Sequence, residues 1–237
     1  MFGIEIKKLY WADNSLDDPD DLCLHGDVAA TIGGERMEDS CTLSAGGLYL
    51  LKTLTENHII GEDNQMLPHC GHFLIPNETN DTVDISGCPY GIDWSVVHKD
   101  GKIELTTESG NTVWLESRRY ESVVKNFADE IRSFYERTVP RKVPGADLRT
   151  ADFDRKGYVA FWNEWFRRYD PSRDSWFCPA VSRSVGARLC GEYRSADRGA
   201  SPDVSDKLKR WIAENDYYQD VEDFHAVCKI CSHSRGS

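Results

Sequence analysis

Residues 92–117 read IDWSVVHKDGKIELTTESGNTVWLES, and this stretch decides the fold class. Ile92, Trp94, Val96 and His98 fall two apart, as do Ile103 and Leu105, and Val113 and Leu115. A period of two places alternate side chains on one face of an extended strand. Between the runs stand Asp100-Gly101 and Ser109-Gly110-Asn111. Gly, Asn and Asp accept the positive φ that tight hairpin turns require. Antiparallel hairpins are the predicted outcome.

Toward the N-terminus the alternation continues. Phe73 and Ile75, then Val83 and Ile85, are separated by Pro76-Asn77 and closed by Cys88-Pro89-Tyr90-Gly91. Gly71 to Ser117 thus reads as a meander. Phe2, Ile4 and Ile6 predict a half-buried strand. Leu22 to Ile32 predicts another, with Val28, Ala30 and Ile32 on one face and a turn at Gly33-Gly34. Ser44 is expected to cap a helix that carries Leu48, Leu51 and Leu54 and ends near Asn57. Gly46 and Gly47 weaken that helix by roughly 1 kcal/mol each relative to alanine.

Toward the C-terminus the period changes to that of a helix. Tyr120, Val123, Val124, Phe127, Ala128, Ile131, Phe134 and Tyr135 form one apolar stripe over 118–138. Glu121 with Lys125, and Arg132 with Glu136, stand four apart on the outer face, a spacing that supports a helix modestly. A sheet with one apolar face needs a cover, and this helix is expected to supply it. Tyr158, Phe161, Trp162, Trp165, Phe166 and Tyr169 repeat the helical spacing further on. Helices are also expected after Pro202 and from Tyr217 to about Cys231. The reading is an α+β protein: an antiparallel meander sheet covered by a long amphipathic helix, with a helical C-terminal region. Its expected division is an acidic α+β domain over 1–139, a linker over 140–150 and a mainly helical region over 151–237.

The chain has 237 residues, 40% of them hydrophobic, enough for a substantial core. No apolar run approaches a membrane span. The opening MFGIEIKKLYW puts its lysines after a short alternating segment, the reverse of a secretory signal, so a cytoplasmic location is expected. In that setting the 8 cysteines are expected as free thiols or metal ligands. The acceptor-like Asn77-Glu78-Thr79 and Asn80-Asp81-Thr82 read as a polar turn.

Charge is segregated along the chain. Residues 1–110 hold 20 Asp/Glu against 6 Lys/Arg, a balance of −14, and residues 111–237 hold 20 against 22, a balance of +2. Asp17, Asp18, Asp20 and Asp21 crowd one loop around Pro19. They lack the alternating spacing and glycine of a calcium loop. An acidic face suits a basic protein partner. The expected function is therefore protein binding, as an inhibitor or immunity-type partner of a basic protein such as a nuclease toxin. A nucleic-acid mimic is a further alternative. Overall acidity opposes direct nucleic-acid binding, and the aromatic stripe at 158–169 reads as core.

The other alternative is a zinc- or thiol-dependent enzyme. His225, Cys228, Cys231 and His233 offer the ligand types that zinc prefers, with Cys228 and Cys231 at half-site spacing. A full site needs four convergent ligands, and Cys178 and Cys190 are candidates for the other pair. His69-Cys70-Gly71-His72 places imidazoles beside a thiol. Adjacent residues of an extended segment face opposite ways, so a base for Cys70 would have to be His72, His25 or His98. Cys88, ahead of Pro89, reads most simply as a turn residue. No motif assigns a catalytic residue.

Overall fold

The computed structural model describes residues 1–12, 21–62, 64–79, 81–138, 141 and 151–171. The expected helices after Pro202 and from Tyr217, the loop aspartates Asp17, Asp18 and Asp20, and the His225, Cys228, Cys231, His233 set lie outside these residues. The protein is α+β. No described helix is long and apolar enough to cross a membrane.

The described chain falls into two compact units. The first is built from Met1 onward, Cys23–Phe73 and Ile85–Phe134. It opens with a three-stranded antiparallel sheet of β1 (Phe2–Tyr10), β2 (His25–Ile32) and β3 (Glu35–Thr42), in that order. Phe2 pairs with Ile32, and a bulge falls between Ile6 and Lys8. Central β2 buries Val28, Ala29 and Ala30 in succession, so both of its faces are covered. Gly33 and Gly34 make the turn to β3 with φ of 59° and 94°. Strand β3, ERMEDSCT, has no apolar alternation to announce it. It is an edge strand kept open to water by charge. Its Arg36 and Glu38 pair with Glu5 and Lys7 of β1.

Helix α1 (Leu43–Lys52) follows directly, and its N-cap is Thr42 rather than Ser44. Ser44 is inside the helix, where its hydroxyl accepts the amide of Leu24 at 3.1 Å. Gly46 has a packing reason: a Cβ there would stand 2.7 Å from Leu67 Cδ2. The glycine lets α1 close on β4 (Leu67–Pro68), which offsets its weak helix propensity.

The predicted meander is divided. Strands β4 and β7 (Gly91–Ile92) make one short ribbon, and β5 (Gly71–Pro76) with β6 (Val83–Gly87) another. β8 (Trp94–Lys99), β9 (Lys102–Thr107) and β10 (Thr112–Glu116) form a second three-stranded sheet. Asp100 and Gly101 turn between β8 and β9 with φ of 51° and 76°, as their residue types require. In β5 the inward residue is Leu74; Phe73 is 68% exposed and Ile75 41%. The alternation points to Phe73 and Ile75, and the structure corrects this: Phe73, Leu74 and Ile75 are all apolar, and packing chooses the Leu74 face.

Helix α2 (Ser117–Arg137) buries Tyr120, Val124, Phe127, Ala128 and Ile131. Tyr120 stacks on Phe2 at 5.4 Å, and its hydroxyl meets Thr53 Oγ1 at 2.6 Å. Phe134 packs on Trp11. The Glu121–Lys125 pair forms at 2.7 Å, and Arg132 reaches back one turn to Asp129 at 2.8 Å.

The second unit gathers, among the described residues, Asp21, Leu22, the hairpin tip Leu74–Asp84 and the chain from Tyr135 onward. It contains α3 (Ala151–Tyr169), which buries Tyr158, Phe161, Trp162, Trp165 and Phe166, as the helical spacing predicts. Trp162 meets Tyr135 edge-on at 5.0 Å. Gly157 lies against Leu74, where a Cβ would stand 2.0 Å from the carbonyl oxygen. Buried Glu164 accepts the Val83 amide at 2.9 Å and faces Arg168 Nη2 at 3.3 Å. Asp21 offers Arg141 its main-chain carbonyl, at 3.5 Å.

Candidate functional site: a thiol–imidazole cluster

Two interruptions in the β-structure of the first unit face each other. His69 and Cys70 lie between β4 and β5; Cys88, Pro89 and Tyr90 lie between β6 and β7. β4 pairs antiparallel with β7, Pro68 opposite Gly91, and the His69 amide donates to the Tyr90 carbonyl at 2.8 Å. β5 and β6 are hydrogen-bonded neighbours on the other side of the break. With pairing before and after it, the break is held across the two strands, and residues 18 apart in sequence become neighbours.

Two glycines make that approach possible. At Gly87 a Cβ would fall 1.8 Å from the Cys70 carbonyl oxygen, and at Gly91 2.2 Å from the Leu67 oxygen. Gly91 also has φ of 149°, a backbone that other residues rarely adopt. The Gly87 to Gly91 turn is thus moulded onto the main chain of 67–70, with Cys88 at its start.

The result is a cluster of His69, Cys70 and Cys88, whose ligand atoms all lie within 4.8 Å of one another. Cys88 Sγ is 3.7 Å from His69 Nδ1, and the Cys88 amide donates to Cys70 Sγ at 3.0 Å. His69 is exposed and the two cysteines are half-buried, so reagents can reach them. The two thiols differ. Hydrogen bonding from the Cys70 thiol, then the Tyr90 amide and His69, lowers the Cys88 thiol to about 7, and the same contact raises Cys70. The two thiols share one hydrogen bond, so their proton losses are linked and belong to the pair. Cys41 makes the contrast. It is buried, its thiol donates to the Leu67 carbonyl at 3.3 Å, and burial pushes it up to about 12.

Along the chain Cys70 and Cys88 stand apart, and neither position points to the other. The partner of the imidazole beside Cys70 is Cys88, reached across the strand pair instead of along the strand. Neither His25 nor His98 belongs to the cluster. His25 stacks on Tyr10, and His98 Nε2 meets the Thr53 carbonyl at 2.9 Å. The side chain of His72 lies outside the described residues.

One buried polar pair joins the segments that flank the site, and no motif announced it. Asp93 Oδ1 lies 2.7 Å from His58 Nε2 and accepts the amides of Met66 and Trp94, each at 3.0 Å. A buried carboxylate persists only where such donors replace water. These bonds tie the chain just before β4 to the chain just after β7, the two segments that flank the cluster. Comparison of the chain with family models, curated proteins and solved structures finds no match.

Proposed function

We propose that this chain performs thiol–disulfide exchange through Cys88 and Cys70. The observation that supports this is the convergence of two half-buried sulfurs and an exposed imidazole at one break between strands. Attack requires a thiolate, and a thiol near pH 7 balances thiolate fraction against nucleophilicity. In the first step the Cys88 thiolate attacks a substrate disulfide. A Cys88–substrate mixed disulfide forms, and the other substrate half leaves as a thiolate that takes a proton. In the second step Cys70 gives its proton to solvent and its thiolate attacks Cys88 Sγ, the mixed disulfide breaks, and the second substrate half leaves as a thiolate that takes a proton. Two electrons pass from the pair to the substrate, and a Cys70–Cys88 disulfide remains. A reducing compartment such as the cytoplasm would return the pair to thiols.

Glutathione disulfide is the test reagent. The native chain should end with an internal Cys70–Cys88 bond found by peptide mapping. Cys70→Ser should stop at a mixed disulfide on Cys88, because the resolving sulfur is gone. Cys88→Ser should react at least tenfold more slowly at pH 7. Equal rates for the two variants would overturn the assignment of roles, and the lack of any Cys70–Cys88 bond would overturn the function.

A second proposal rests on charge. The balance of −14 over residues 1–110 favours a face for a basic protein partner, with Asp17, Asp18, Asp20 and Asp21 among its steering charges. It is compatible with the thiol site and uses different residues.

A further inference from the structure

We propose that the reduced cluster is also a centre for one thiophilic divalent cation of the zinc class, with Cys70 Sγ, Cys88 Sγ and His69 Nδ1 as ligands and a water in the fourth position. Thiolate and neutral imidazole are the donors this class selects. The spacing fits. Zinc lies about 2.3 Å from sulfur and about 2.0 Å from imidazole nitrogen, so a tetrahedral sulfur–nitrogen edge is about 3.5 Å. Cys88 Sγ and His69 Nδ1 stand 3.7 Å apart, and the third ligand atom lies within 4.8 Å of both. The cluster needs only a small contraction about an ion, without rebuilding the backbone.

The surroundings suit the charged state of the ligands. The Cys88 amide donates to Cys70 Sγ from 3.0 Å, the kind of outer-shell hydrogen bond that supports a metal-bound sulfur. Two thiolates balance the two charges of the cation, so the occupied centre is neutral and costs little to hold half-buried. Gly87 and Gly91 keep the two ligand-bearing backbones in contact, which lowers the ordering needed when the ion binds. Three protein ligands with an open fourth position are the pattern of a reactive or exchangeable site, since structural zinc sites use four. The exposure of His69 leaves that position to solvent. Disulfide formation consumes two of the three ligands, so cation binding belongs to the reduced form alone.

The test uses the reduced full-length chain and cobalt(II) as a spectroscopic probe, with zinc as competitor. Cys228→Ser/Cys231→Ser serves as background, because those cysteines offer a second possible site. In that background one equivalent of cobalt should give thiolate-to-metal absorption and tetrahedral d–d bands, and zinc should bleach both. Adding His69→Ala, an exposed change that leaves the fold intact, should weaken binding about 10- to 100-fold. Adding Cys70→Ser or Cys88→Ser should abolish the thiolate bands. Zinc should also protect Cys70 and Cys88 from alkylation, read peptide by peptide. Bands that vanish in the Cys228→Ser/Cys231→Ser background, or that persist after His69→Ala at unchanged affinity, would overturn the proposal. Peroxide-oxidised chain with a mapped Cys70–Cys88 bond should bind no cobalt. If that bond forms while the reduced chain ignores cobalt, the exchange function stands and the metal centre fails. If cobalt binds but no such bond forms, the reverse holds.

Discussion

Cys88 and Cys41 show how far one residue type can be driven apart within one chain. Cys88 is lowered to about 7 by hydrogen bonds from Cys70, Tyr90 and His69, whereas burial pushes Cys41 up to about 12. Among the described cysteines, alkylation of the metal-free, reduced chain should therefore select Cys88. Its rate should rise with pH to a plateau, reach half-maximum near pH 7, and fall about tenfold per unit below that, as thiolate is lost. Cys70→Ala removes the main donor and should move the midpoint up toward the ordinary thiol value of about 8.5. Rates for each cysteine, read by mass spectrometry from pH 5 to 9, check both statements. Gly87 is the second decisive residue. Gly87→Ala should destabilise the protein by about 1–3 kcal/mol through overpacking against the Cys70 carbonyl, measured by denaturant melts. It should also slow formation of the Cys70–Cys88 bond, since the two turns must separate.

At the scale of elements, the face a strand or helix buries is the testable quantity. In α2, Phe127 is 3% exposed and Glu121 lies on the open side in a pair with Lys125. Phe127→Ala should cost about 3–5 kcal/mol through lost burial and a cavity. Glu121→Ala should change stability by less than about 0.5 kcal/mol. Strand β5 offers a sharper case, because its alternation points to Phe73 and Ile75 while the structure buries Leu74. Leu74→Ala should cost about 2–5 kcal/mol, and Phe73→Ala little, since Leu74 is 8% exposed and Phe73 68%. A lower melting midpoint for the Phe73 variant than for the Leu74 variant would reverse the strand, and equal midpoints would remove the distinction between its faces. Strand β3 carries the complementary lesson. Its charges are those of an edge, so its place in the sheet comes from pairing with β2 and not from its own pattern.

For the whole molecule, the segregated charge leads to a kinetic expectation. Like charges act over about 10 Å at 0.1 M salt. Changing Asp17, Asp18, Asp20 and Asp21 to Asn should slow association with a basic partner by roughly tenfold at low salt, with a smaller effect on dissociation. Surface binding measured across salt, with the partner recovered by pull-down, checks this. An unchanged rate and salt slope would leave the acidity as a solubility feature and end the second proposal. The thiol site would be untouched, because its residues and readouts are separate.

What the sequence by itself determined is the set of local periods and turns. The alternation in β8, β9 and β10, the turns at Gly33-Gly34 and Asp100-Gly101, the stripe of α2 and the aromatic core of α3 each depend on residues a few positions apart, so they can be read along the chain. The division of the meander into separate small sheets, the inward face of β5 and the pairing of β3 depend on which surfaces meet, and only the tertiary structure decided them. The candidate site belongs to the same class. His69, Cys70 and Cys88 form a cluster because two breaks in paired strands coincide and two glycines let the main chains touch. Contact across a strand pair is set by register, and a one-residue shift would turn every side chain to the other face.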